Sequence, residues 1–193
     1  MLVRLLAVLL TALTLAGCDI NAVPRLDEEV KASWSQVQNQ YQRRADLVPN
    51  LVETVKGYAE HERETLEAVI AARAKATSMQ LPDNITQDPE AFQRFQENQA
   101  GLTSALARLM VVVEQYPNLK ADQQFIALQS QLEGTENRIA VARKDYIATV
   151  QRYNTELRTF PGRFVAAVLY PDAKVKESFT ASEAAQQAPA VKF

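Results

Sequence analysis

The stretch from Trp34 to Ala76, WSQVQNQYQRRADLVPNLVETVKGYAEHERETLEAVIAARAKA, decides the fold class. Read by threes and fours it gives Trp34, Val37, Tyr41, Arg44, Val48, Leu51, Val55, Tyr58, Glu62, Thr65, Val69, Ala72 and Ala76. All but Arg44, Glu62 and Thr65 are apolar or aromatic, and Ala45, Val52, Ala59 and Leu66 widen the stripe. This is a helical period with a broad core-facing side. Asp27 is placed to cap the helix, with Glu28 and Glu29 in its first turn, where the helix dipole favours negative charge. From Asp27 to Thr77 the pattern predicts a single rod roughly 75 Å long. Such a rod must lay its stripe against other helices.

Pro49 interrupts the stretch. It removes one backbone donor, frees the carbonyl of Ala45, and predicts a kink or a break near Val48. Gly57 is a second soft point. Arg43, Arg44, Asp46 and Asn50 surround the proline. Two readings apply to these four. They form a polar interaction patch on a bend, or they satisfy the freed backbone groups and fix helix register. Arg44 falls on the stripe itself, so it needs a carboxylate or carbonyl partner from another helix.

Two further stripes follow. Asp88-Pro89 starts a second helix by cap and first-turn proline, after a loop from Thr77 to Asp88. Its stripe is Phe92, Phe95, Gln99, Leu102, Leu106, Leu109, Val113 and Tyr116, and Tyr116-Pro117-Asn118 ends it. The third helix starts near Ala121 or Asp122 and carries Phe125, Leu128, Leu132, Thr135, Ile139, Ala142, Tyr146, Val150, Tyr153, Leu157 and Phe160. Glu136, Arg138, Arg143, Lys144 and Asp145 lie along its outside as a solvated face, from which one or two side chains are expected to reach Arg44. Phe160-Pro161-Gly162 breaks this helix. The apolar segment Arg163 to Tyr170 is expected to cap one end of the bundle in preference to dipping into the membrane interface, because no Lys/Arg-rich polar face accompanies it. The fold class expected is all-α: an antiparallel bundle of three long helices plus a short C-terminal helix, over residues 27–180, with a flexible tail at 181–193.

Composition narrows function mainly by exclusion. The chain has 193 residues, enough for one domain, with five glycines and a net charge of −2, so nothing favours nucleic acid as a partner. One cysteine, Cys18, and one histidine, His61, rule out an intrachain disulfide and a Cys/His metal cage. His61-Glu62-Arg63-Glu64-Thr65 lacks the second histidine of a zinc hydrolase helix, and there is no paired Glu-x-x-His for a di-iron bundle. No catalytic set, cofactor motif or metal site is expected.

At the N-terminus, Arg4, the apolar run Leu5 to Leu13, and Leu15-Ala16-Gly17-Cys18 follow one another in the order of a secretory leader. The last four residues resemble the lipobox of bacterial lipoproteins. The resemblance implies a signal peptide at 1–17, lipidation of Cys18, and a tether at 18–26. Acyl chains on Cys18 would anchor the chain without a spanning helix. Asp19 resembles a sorting signal for retention at the inner membrane, facing the periplasm.

Several longer runs are similar to the LemA family: Trp34-Ser35-Gln36-Val37, Arg43 through Val52, Glu53 through Tyr58, Tyr116-Pro117-Asn118-Leu119-Lys120, Thr135 through Ala140, Arg143-Lys144-Asp145-Tyr146, Tyr153-Asn154-Thr155 and Phe160-Pro161. The family pattern has Asn where this chain has Ile147. The resemblance implies a four-helix LemA-like bundle at a bacterial membrane, with no catalytic residues to carry over. It also implies a neighbourhood of envelope proteins, including membrane proteases and TPM-domain proteins. The function expected is a non-catalytic, membrane-anchored scaffold or accessory protein of the cell envelope. The alternative is a homo-oligomer that shapes or stiffens the membrane.

Overall fold

The computed structural model describes residues 20–180. It is all-helical, with no strand among the described residues. The helices are α1 (Ala22–Lys56), α2 (Arg63–Ser78), α3 (Pro89–Val113), the single turn α4 (Pro117–Lys120), α5 (Gln123–Arg158) and α6 (Gly162–Leu169).

The first rod is not continuous, and it does not break where Pro49 stands. α1 runs through Pro49 to Lys56, and the chain turns over Gly57 to Glu62 before α2 folds back. Two facts explain the change. Pro49 lies on the exposed side, and the Ala45 carbonyl it frees accepts a hydrogen bond from Arg73 Nε of α2 at 2.8 Å. The turn at Gly57 is held from both sides, with Tyr58 donating to Asp122 at 3.0 Å and Tyr116 donating to Glu62 at 2.9 Å. A straight rod would also leave Leu66 and Val69 uncovered. Folded back, they bury against Val48, Val52 and Val55 of α1 and Leu102 and Leu106 of α3.

Paired residues give the helix directions. Ser33 meets Thr149, Arg44 meets Glu136 and Tyr58 meets Asp122, so α5 is antiparallel to α1. Arg73 meets Ala45, so α2 is antiparallel to α1, and Ala76 meets Gln99 while Glu62 meets Tyr116, so α3 is antiparallel to α2. The result is an up-down-up-down bundle of α1, α2, α3 and α5, in which α2 is the short member.

The 16 residues of α2 cover only part of the 35 of α1. Beyond α2, irregular chain and the single 3-10 turn Ile85–Gln87 close the bundle. Met79, Leu81 and Ile85 pack there, joined by Phe179 from the segment 171–180. Trp34 is the centre of this half, with ring centroids of Phe92, Phe95 and Tyr146 at 5.2–5.6 Å and Phe179 at 6.3 Å. The segment is pinned through its backbone. Asn154 bonds both the N–H and the carbonyl of Lys176 at 2.8 and 2.9 Å, Tyr146 donates to the Glu177 carbonyl at 2.8 Å, and Glu177 N–H donates to Thr86 at 2.7 Å.

The start of α1 also differs from expectation. Asp27 is not the cap. The helix begins at Ala22, and Pro24 sits in the first turn, where no backbone donor is required of it. Asp27 instead reaches the buried Lys176 ammonium at 2.7 Å. Burial pushes the Asp27 carboxyl up, but the bonds and charges of Lys176 and Lys31 outweigh it and hold the group below the ordinary 3.8. Beside this start of α1, α6 is held hard against α5: a Cβ on Gly162 would strike the carbonyl and carboxylate of Glu156. Asp88 caps α3 as expected, accepting from Ala91 N at 3.0 Å. Asp122, one of the two starts read for the third helix, caps α5 by accepting from Phe125 N at 2.8 Å. Phe160, by contrast, leaves its stripe and is exposed.

The Arg73 contact is testable by a double-mutant cycle. Arg73→Ala is expected to lower stability to urea by about 1–3 kcal/mol, the cost of a buried acceptor losing its donor. Pro49→Ala restores a backbone donor, so Arg73→Ala should cost clearly less in that background. Additive effects would show that Arg73 does not replace the bond lost at Pro49.

Candidate functional site

The apolar interior divides into two clusters. One holds Trp34, Val37 and Tyr41 of α1 with Phe95 and Ile139. The other holds Val48 and Leu51 of α1 with Leu102 and Leu132. Between them, at one height on each helix, stand Arg44, Gln99 and Thr135, all buried. Each is the polar residue in an otherwise apolar stripe.

Arg44 is 1% exposed and joins three helices. One guanidinium nitrogen donates to Thr103 Oγ1 at 2.8 Å and to Glu136 Oε1 at 3.0 Å. The other donates to Gln99 twice, to its carbonyl at 3.1 Å and its side-chain oxygen at 2.7 Å. Gln99 Nε2 then donates to the Ala76 carbonyl of α2 at 3.3 Å, which brings in the fourth helix. Thr135 closes the layer on α5, donating to the Gln131 carbonyl at 2.7 Å and accepting from Arg138 at 3.1 Å. The Tyr41 ring lies 5.0 Å from the guanidinium. Burial pushes the Tyr41 hydroxyl up, so it stays neutral beside the cation. Four of the five Arg44 N–H donors are matched in this way, while the buried Nε has no partner. The planar fork of Arg makes these bonds where Lys cannot.

The structure therefore separates the four residues around Pro49. Arg44 alone is internal. Arg43, Asp46 and Asn50 are exposed, and Asp46 accepts from Gln42 at 2.7 Å on the same helix. None of the three satisfies the Ala45 carbonyl, which Arg73 serves. His61 is exposed in the turn between α1 and α2, and no three His, Cys, Asp or Glu side chains converge to hold a metal among the described residues. Cys18 and Asp19 lie outside the described residues. Gln99 and Thr103 were not singled out in the sequence as partners of Arg44, although a polar residue at matching height in all three stripes was a readable signal.

Two open grooves flank the layer. One, of about 530 Å³, runs between α1 and α5 past Ser33, Gln36, Gln40, Val141 and Asp145. The other, of about 460 Å³, runs between α3 and α5 past Leu106, Met110, Leu132 and Glu136. Arg44 lines neither.

The LemA family model matches residues 33–193. The chain belongs to the LemA family. Among curated LemA-type relatives, magnetosome protein MamQ 2 of Paramagnetospirillum magneticum is 27% identical over 164 residues, covering 77% of this chain and 60% of the relative. Magnetosome protein MamQ of Magnetospirillum gryphiswaldense matches at the same identity and coverage. Protein LemA of Metamycoplasma hominis is 24% identical over 149 residues, covering 77% and 64%. The chain thus spans less than two thirds of the length of these relatives. No helix of this LemA protein, among the described residues, is long and apolar enough to cross a membrane.

Arg44→Lys keeps the charge and loses the fork. It is expected to cost about 2–4 kcal/mol in urea unfolding, as two or more matched bonds disappear. Glu136→Gln keeps an acceptor and should cost less. Equal stability of Arg44→Lys and the parent would remove the layer from any structural role.

Proposed function

We propose that this LemA protein is a non-catalytic helical scaffold of the bacterial envelope, anchored at the inner membrane by acyl chains on Cys18 and facing the periplasm. The observation that carries this reading is the use of Arg44. The buried group best suited to bind or polarise a ligand is occupied by four helix-joining hydrogen bonds and opens on neither groove. What remains for interaction is the outer surface, and on it the α1–α5 groove is the larger recess, with the exposed Val141 in its wall. The MamQ relatives are named for a structure, the magnetosome, and not for a reaction, which fits a scaffold. Its partners in this reading are envelope proteins of the membrane-protease or TPM-domain kind.

The alternative, self-assembly, would draw on apolar residues left outside the bundle. Along the flanks, Ile70, Val111, Ile126 and Val141 are exposed but spread over α2, α3 and α5. The exposed apolar residues that lie together, Phe160, Phe164, Val168 and Leu169, are confined to the α6 end, so no flank offers an apolar face for side-by-side assembly. The scaffold reading is therefore preferred.

Affinity capture of the full chain from solubilised envelopes, quantified against a Val141→Glu variant, tests it. A small set of envelope proteins enriched with the parent and depleted with the variant is expected. Indistinguishable backgrounds would contradict a partner at this groove, and capture of the chain by itself would favour assembly.

A further inference from the structure

Helix α6 is apolar on two opposite sides. Gly162 and Ala166 bury one side against the bundle. The other side carries Phe164 and Val168, one turn apart, 66% and 60% exposed, with Ala167 beside them. Phe160, 87% exposed, precedes the helix, and exposed Leu169 ends it. A short helix with apolar residues all round is normally covered on every side. Here one of them is exposed.

The position of this surface says what covers it. α5 is antiparallel to α1, so α6 lies where α1 begins, and Ala166 packs in one cluster with Val23, Leu26 and Val30. Ile20, also exposed, is the first described residue at the same end. Because α1 starts at Ala22, the chain from Cys18 to the helix can span at most about 14 Å. A lipid on Cys18 would hold this end of the bundle, and no other, against a bilayer. Arg158 and Arg163 are exposed and flank Phe160 and Phe164 in sequence, with the Glu156 carboxylate against Gly162 and exposed Asp172 further along. Aromatic and aliphatic side chains flanked by arginine match the boundary between acyl chains and anionic headgroups.

We propose that α6 is a membrane-contact element that inserts Phe164 and Val168 into the interfacial layer of an anionic phospholipid bilayer, with Arg158 and Arg163 on the headgroup phosphates. The proposal rests on the reading of Cys18 as the anchor, and it adds a second point of attachment. The bundle then stands on α6 with the Gly57 turn at its far end. Two attachments fix its orientation, where a single point of attachment would let it tumble.

The test places a benzophenone amino acid at Phe164 in the full chain, or at Val111 as a control that is exposed near the Gly57 end. The protein is irradiated with vesicles of phosphatidylglycerol and phosphatidylethanolamine, and lipid adducts are read by mass. Adducts at position 164 are expected in about tenfold excess over position 111, the contrast between an inserted and a solvated site. Replacing the vesicles with phosphatidylcholine alone should reduce them. Equal yields at the two positions, or adducts at 164 to protein only, would overturn the proposal. The mass of Cys18 in protein from cells reads the anchor separately. If Cys18 is unmodified the anchor reading fails, and adduct formation with the added vesicles still decides for or against α6.

Discussion

A single buried guanidinium is the constraint on which the bundle depends. Arg44 sits between two apolar clusters, and its acceptors come from α3 and α5, with Gln99 extending the connection to α2. Apolar packing is permissive about sliding one helix along another, because neighbouring ridges and grooves are alike. A charged group in a dry interior is not permissive. Displacing α3 by one turn would take Gln99 and Thr103 away from Arg44 and leave charge and donors unmatched. The apolar clusters supply most of the driving force for burial, and the polar layer selects one register from those that burial alone would allow.

Much of the fold could be read from the residues because the signal is local. Trp34, Leu102 and Tyr146 are buried where a 3.6-residue period places them, and Asp88 and Asp122 cap helices at the positions their sequence context indicates. The larger departures involve groups far apart in the chain. Pro49 was the stronger local breaker and Gly57 the weaker. The outcome reversed because Arg73 serves the carbonyl that Pro49 frees and two tyrosine–carboxylate bonds clasp the turn after Gly57. The segment 171–180 has no period to reveal it, yet Phe179 enters the aromatic cluster and Lys176 pairs with Asp27, which sequence context had assigned to a helix cap. Of the polar residues near Pro49, the stripe correctly set Arg44 apart, while Arg43, Asp46 and Asn50 turned out to share only its neighbourhood in sequence.

The two ends of the bundle differ in kind. The Gly57 end is closed by polar clasps, Tyr58 with Asp122 and Tyr116 with Glu62. The opposite end presents Ile20, Phe160 and the outer side of α6. Between them run long polar faces interrupted by shallow grooves, with the buried charge used up in joining helices. A bundle with an exposed apolar helix side at one end and polar clasps at the other suits a protein that stands on a surface and offers its flanks to other proteins.

Arg44 is buried and held by acceptors on α3 and α5, and nitrogen-detected NMR of its guanidinium reads this directly. Matched burial predicts separately resolved, slowly exchanging Nη protons with cross-peaks to Gln99 and Thr103, at a temperature where surface arginines give one averaged signal. A single averaged, rapidly exchanging Arg44 signal would contradict it, because the helices would then have no common polar layer to set their register.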